Sequence, residues 1–92
     1  MDEHELRHLI ADNEQNLARF LKIEAQSGLL YMRLAETEAS LKDEENAGRA
    51  KDHARRAYET VVKFLPRAKN LAAEQRQEIT DYLTALGELL EA

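Results

Sequence analysis

Between Ala47 and Phe64 small and apolar residues recur at alternating steps of three and four: Ala47, Ala50, Ala54, Ala57, Val61 and Phe64. That spacing draws one continuous line down an α-helix and is incompatible with the two-residue period of a strand. The four alanines let a second helix approach at the close end of the usual spacing, near ~8 Å. Whatever else the chain does, this segment needs another helix packed along it. Tyr58, Val62 and Leu65 widen the line toward its end. Asp52, Arg56, Glu59 and Lys63 occupy the opposite side as two acid-first pairs four residues apart, which suits a solvated face. Pro66 disfavours helical geometry at Leu65 and ends the segment.

The flanking segments read as further helices. Asp2 with Glu5 three residues on resembles a capping box, and Leu6, Leu9, Ile10, Leu17, Phe20 and Leu21 follow at helical spacing. Ser27-Gly28 offers a stop, since glycine readily closes a helix; one helix running from Glu3 to Lys42 is the alternative. From Leu29 to Leu41, Leu30, Leu34 and Leu41 form one stripe, and Met32, Ala35 and Ala39 form a nearly opposite one. A helix apolar on two sides is commonly sandwiched between others. Lys42 to Asn46 is a short polar turn, which implies an antiparallel neighbour. After a loop over 67–70, Leu71 to Leu90 forms the last helix, burying Ile79, Tyr82, Leu83, Leu86, Leu89 and Leu90, with Glu74, Glu78, Asp81 and Glu88 pointing away. The expected fold is an all-α, antiparallel three- or four-helix bundle forming one domain over residues 1–92.

Composition narrows the function classes. The chain has no cysteine, so neither a disulfide nor a thiolate metal cluster is available, and a cytoplasmic location is the expectation. No apolar run reaches the ~20 residues that span a bilayer, and the start is acidic, unlike a signal peptide. The net charge of −5 argues against a dedicated nucleic-acid binder. Charge is nevertheless segregated: residues 1–46 carry −6, 47–72 carry +5 and 73–92 carry −4. Within the basic stretch, Arg49, Arg55, Arg56, Lys63, Arg67 and Lys69 are the candidates for receiving an acidic partner, with Arg49, Arg56 and Lys63 repeating every seven residues. A basic helix packed between acidic neighbours explains the same pattern without a ligand.

Tyr31 followed by Leu34-Ala35, the turn Lys42-Asp43, and Ala47 stand at the spacing of a tetratricopeptide repeat. Lys51 interrupts the pattern; with seven extra residues, two helical turns, Tyr58, Val61 and Pro66 return to register. Residues 29–66 thus resemble one such repeat with a lengthened second helix. The resemblance implies a helical hairpin that binds a peptide or helix, paired with a second copy or a partner because one repeat makes no full groove.

His4-Glu5-Leu6-Arg7-His8 has the form H-E-x-x-H, in which two histidines hold zinc and the glutamate activates its water. Here His4 and His8 lie about 160° and 200° around from Leu6, opposite the apolar side. The extended form of the motif is broken by Ala11 and Glu14, and Glu24 and Glu36 are the distant candidates for a third ligand. Exposed helix histidines are the reading adopted, with no metal and no cofactor expected. His53 flanks the alanine line. Tyr31, Tyr58 and Tyr82 read as edge-of-core residues with wet hydroxyls, which would share a binding cleft if the fold brought them together. The sequence therefore points to a small non-catalytic protein-interaction module or adaptor, with Leu30, Met32, Ala35 and Ala39 as the candidate interface. The alternatives are a zinc peptidase using His4, Glu5 and His8, and a binder of acidic partners or nucleic acid through the basic helix. The expected partner is another protein or a second copy of the chain.

Overall fold

A computed structural model of the chain describes the backbone of residues 2–92 and the side chains of residues 2–5 and 15–92. Expectations for the side chains of Leu6, His8, Leu9 and Ile10 lie outside the described residues. Among those described, the chain forms three α-helices, α1 (Glu3–Ser40), α2 (Glu44–Phe64) and α3 (Ala73–Glu91), with a 3₁₀ turn over Leu65–Arg67 and no strand. The all-α bundle expected from the periodicity is the observed architecture.

The first two expected helices are one. At 1.5 Å per residue the 38 residues of α1 extend about 57 Å, matching the long dimension of the molecule, 58 Å. Gly28 is not a turn: it has no positive φ and is buried mid-helix. A Cβ there would collide with a δ-methyl of Leu86 and lie 3.3 Å from the Ala57 Cβ. Glycine is thus the residue that lets α3 and α2 meet α1 at one level, and packing offsets its low helix propensity.

The turn falls three residues earlier than the start expected at Ala47. Lys42 takes a left-handed conformation, φ 62°. Asp43 then caps α2, its carboxylate accepting from the Asn46 N–H at 3.2 Å and from the Asn46 side-chain amide at 2.7 Å. α2 returns antiparallel along the C-terminal part of α1. Its alanine line is the buried face: Ala50, Ala54, Ala57 and Val61 are buried, Val61 clustering with Leu21 and Ala25 of α1 and Ala54 with Met32.

α3 begins at Ala73 rather than Leu71. The Gln75 side chain accepts from the Ala72 N–H at 3.1 Å, and Arg76 donates to the Ala68 carbonyl at 2.6 Å, which ties the connection to the helix. α3 runs parallel to α1, since its partners climb both helices together. Lys22 pairs with Glu78 at 2.9 Å, Gln26 donates to the Tyr82 hydroxyl at 3.2 Å, and Gly28 lies under Leu86. The core has two clusters. Leu21, Ala25, Val61, Ala68 and Ile79 form the lower one, and Met32, Ala54 and Leu86 the upper, with Leu17, Tyr58, Tyr82, Leu83, Leu89 and Leu90 packed around them.

Candidate functional site

The core uses one side of α1. Ala18, Leu21, Ala25, Gly28, Met32 and Ala35 step by three and four along it, and all are buried. Two residues further around, on nearly the opposite side, runs a second line with the same steps: Phe20, Ile23, Ser27, Leu30, Leu34, Thr37 and Leu41. Its large members are exposed: Phe20 by 43%, Ile23 by 58%, Leu30 by 61%, Leu34 by 45% and Leu41 by 72%. Leu41 lies one residue past α1 yet keeps its register, its N–H still reaching the Thr37 carbonyl at 3.1 Å. Among the described residues seven large apolar side chains are this exposed, and only Val62 lies away from α1 and its C-cap. The exposed apolar surface is therefore concentrated on a single helix face, not scattered as on an ordinary protein surface.

The neighbouring helices frame this line without covering it. On the α2 side Tyr31 stacks on His53, ring centroids 4.8 Å apart and planes 19° from parallel. On the α3 side Gln26 holds Tyr82 and Lys22 holds Glu78. Glu78 raises the Lys22 pKa above its ordinary 10.5, first by hydrogen bonding and then by its charge. Midway along the line, Ser27, Leu30, Tyr31 and Leu34 bound a shallow depression of about 250 Å³. The line is flanked by Arg19 and Arg33 on one edge and Glu24 and Glu38 on the other.

The residues singled out in the sequence are distributed as follows. Of the interface candidates, Met32, Ala35 and Ala39 line one open depression with Ala47, Gly48, Lys51 and Leu89, Met32 and Ala35 being buried at its floor; Leu30 is on the outward line instead. Within one chain the two stripes of residues 29–41 are thus core and surface. Phe20, grouped in sequence with Leu17 and Leu21, belongs to the outward line instead.

Of the basic residues, Lys63 and Arg67 share one ring and the others meet separate neighbours. Arg49 bonds Glu45 at 2.6 Å and Arg55 meets Asp52 at 3.4 Å, both within α2. Arg56 approaches the His53 ring at 3.4 Å, while Lys63 and Arg67 lie over the Phe64 ring at 5.4 and 5.2 Å. Lys69 lines a separate cleft with Gln15, Ala18 and Asn70–Ala72. The three tyrosines meet different neighbours: Tyr31 meets His53, Tyr82 meets Gln26, and Tyr58 lies against Gly87. His4 and Glu5 are exposed in the first turn of α1, where Asp2 accepts from the Glu5 N–H at 2.8 Å; His8 lies outside the described side chains. Among the described residues no three His, Cys, Asp or Glu are grouped to hold a metal, and no helix is long and apolar enough to cross a membrane.

Among the described residues, fold and surface together define an elongated three-helix bundle with an uncovered apolar helix face. The chain matches no protein family, no curated protein and no solved structure.

Sequence reasoning missed the outward line as a unit because it grouped residues on either side of Ser27-Gly28 separately, although the continuous helix it kept as the alternative is the one observed. Counted without a break, the steps of three and four run from Phe20 to Leu41, and they were available in the sequence.

Proposed function

We propose that this chain is a protein-interaction module without catalytic activity, and that the outward line of α1 is its contact surface. The observation that carries the reading is the exposure of Phe20, Ile23, Leu30, Leu34 and Leu41 on one helix face at coiled-coil spacing. Leaving that face in water costs roughly 1.5–3 kcal/mol for each large side chain that a partner would bury fully. The resemblance of residues 29–66 to a tetratricopeptide hairpin points the same way, since such hairpins bind helices. The basic face of α2 supports an acidic partner less well, because Arg49 and Arg55 are engaged by Glu45 and Asp52 on the same helix.

The test is site-specific photo-crosslinking in the cells that make the protein, with the reactive side chain at Leu30, Leu34, Glu59 or Lys63 in turn. The reading expects discrete covalent adducts from positions 30 and 34 and none from 59 and 63. Adducts from 59 and 63 alone would move the contact surface to α2. Adducts from none of the four would overturn the reading.

A further inference from the structure

We infer that the occupant of the outward line is a second copy of this chain, its α1 lying parallel and in register with the first. The inference rests on the outward line being the contact surface and names what covers it.

In coiled-coil terms the steps place Phe20, Ser27, Leu34 and Leu41 at the first core position of each heptad, and Ile23, Leu30 and Thr37 at the second. A side chain at the second position enters a hole made by four residues of the facing helix. For Leu30 of a parallel second copy those are Ser27, Leu30, Tyr31 and Leu34. These four bound the depression on the outward face. Each copy therefore offers both the knob and the hole, which is the self-complementarity a two-fold contact requires. Thr37 can enter such a core without an orphaned donor, since its hydroxyl already donates to the Arg33 carbonyl at 3.0 Å. Asn16, one step before Phe20, is where the described line turns polar.

Charge fixes the direction. Arg19 and Arg33 stand just before first-position residues; Glu24 and Glu38 stand just after second-position ones. Parallel pairing brings each residue of the first kind beside the residue of the second kind five positions on in the other copy. Arg19 then meets Glu24 of the second copy, and Arg33 meets Glu38 of the second copy, each twice by symmetry. Antiparallel pairing would instead set arginine against arginine and glutamate against glutamate. None of these four side chains has an ion pair among the described residues, whereas Lys22, Arg49 and Arg55 do.

The size is adequate. The exposed parts of Phe20, Ile23, Leu30, Tyr31, Leu34 and Leu41 come to roughly 600 Å² per copy. With the stems of the flanking charges this approaches the ~800 Å² per partner of a standard interface. From Phe20 to Leu41 the line is about 32 Å long, three heptads. A free peptide of that length would be a marginal helix, but α2 and α3 already hold α1 in shape, so association need not order it.

The chain has no cysteine, so single introduced thiols report on pairing cleanly. In a parallel, in-register pair the same core residue of both copies comes within the ~6 Å Cα separation that a disulfide spans. Ser27→Cys is expected to form a covalent dimer under mild oxidation, and Lys63→Cys is not. R19E/R33E is expected to weaken the dimer on the order of a hundredfold by setting like charges at all four contacts. Adding E24R and E38R to that variant is expected to restore it to within a few-fold. A silent Ser27→Cys that cross-links only when mixed with Leu30→Cys or Thr37→Cys, the second-position residues it would face, would show antiparallel pairing, overturning this inference while leaving the contact surface standing. A protein that is monomeric throughout, yet still cross-linked to another protein from position 30, would do the same. A dimer that survives Leu30→Glu unchanged would overturn this inference, and the contact surface falls with it if positions 30 and 34 also give no cross-linked adduct.

Discussion

Gly28→Ala and Gly48→Ala make the same chemical change at two helical glycines, and their effects should differ in sign. In each case replacing glycine by alanine inside a helix gains about 1 kcal/mol from propensity alone. At Gly48 nothing lies within 4 Å of the new methyl, so the gain is kept and stability rises by about 0.5–1 kcal/mol. At Gly28 the methyl would run into a δ-methyl of Leu86 and sit 3.3 Å from the Ala57 Cβ. Leu86 is fully buried, so it cannot swing into solvent to make room. Overpacking of this kind costs about 1–3 kcal/mol, which leaves Gly28→Ala destabilised by up to ~2 kcal/mol. The gap between the two variants is then about 1–3 kcal/mol, or ~4–8 °C in Tm per kcal/mol for a domain of this size. Urea denaturation followed by circular dichroism, at one fixed protein concentration, measures both. Leu86→Ala supplies the cross-check. It should cost about 2–5 kcal/mol by itself, yet Gly28→Ala added to it should become stabilising, because both Leu86 δ-methyls are gone and only the 3.3 Å approach to the Ala57 Cβ remains. Equal stability of the two glycine variants, or a Gly28→Ala cost unchanged in the Leu86→Ala background, would refute the close three-helix junction.

Three further outcomes follow from particular contacts. Asp43→Ala removes the cap of α2 and should cost about 1 kcal/mol in the same urea titration, with Asp43→Asn recovering most of it. Lys22 is held above its ordinary pKa by Glu78, so its contribution is complete below the unfolded lysine value and is lost as pH rises through the raised folded value; the alkaline fall in stability should be shallower in Lys22→Met. Leu34→Glu, on the outward face, should leave the far-ultraviolet circular dichroism spectrum unchanged and alter the intrinsic stability of the single chain by less than ~0.5 kcal/mol, measured at concentrations too low for association.

The fold was largely legible in the sequence, most plainly at α2. Its Ala47-to-Phe64 line has one spacing and one neighbour type, and Ala50, Ala54, Ala57 and Val61 are buried as that line requires. α3 was legible for the same reason through Ile79 and Leu86. The Ser27-Gly28 step was not, because glycine is equally suited to closing a helix and to admitting a neighbour, and only the position of Leu86 decides between them. That ambiguity propagated. With α1 divided, Phe20 and Ile23 could not be joined to Leu30 and Leu34, and the stripes through Leu30 and Met32 looked equivalent. Burial separates them: Met32 lies under α2 and α3, while Leu30 faces outward. The basic residues of α2 were legible as charges but not as neighbours. Whether Arg49 is open to a ligand or taken by Glu45 depends on a rotamer that the sequence does not specify.

The central claim is that the outward line of α1 is a contact surface filled by a second copy. Molar mass by light scattering on a sizing column, for the native chain and for Leu30→Glu side by side, tests it most directly. The account predicts about twice the 10.6 kDa chain mass for the native protein and the single-chain mass for the variant, at unchanged helicity. The single-chain mass for both, or the doubled mass for both, would contradict it.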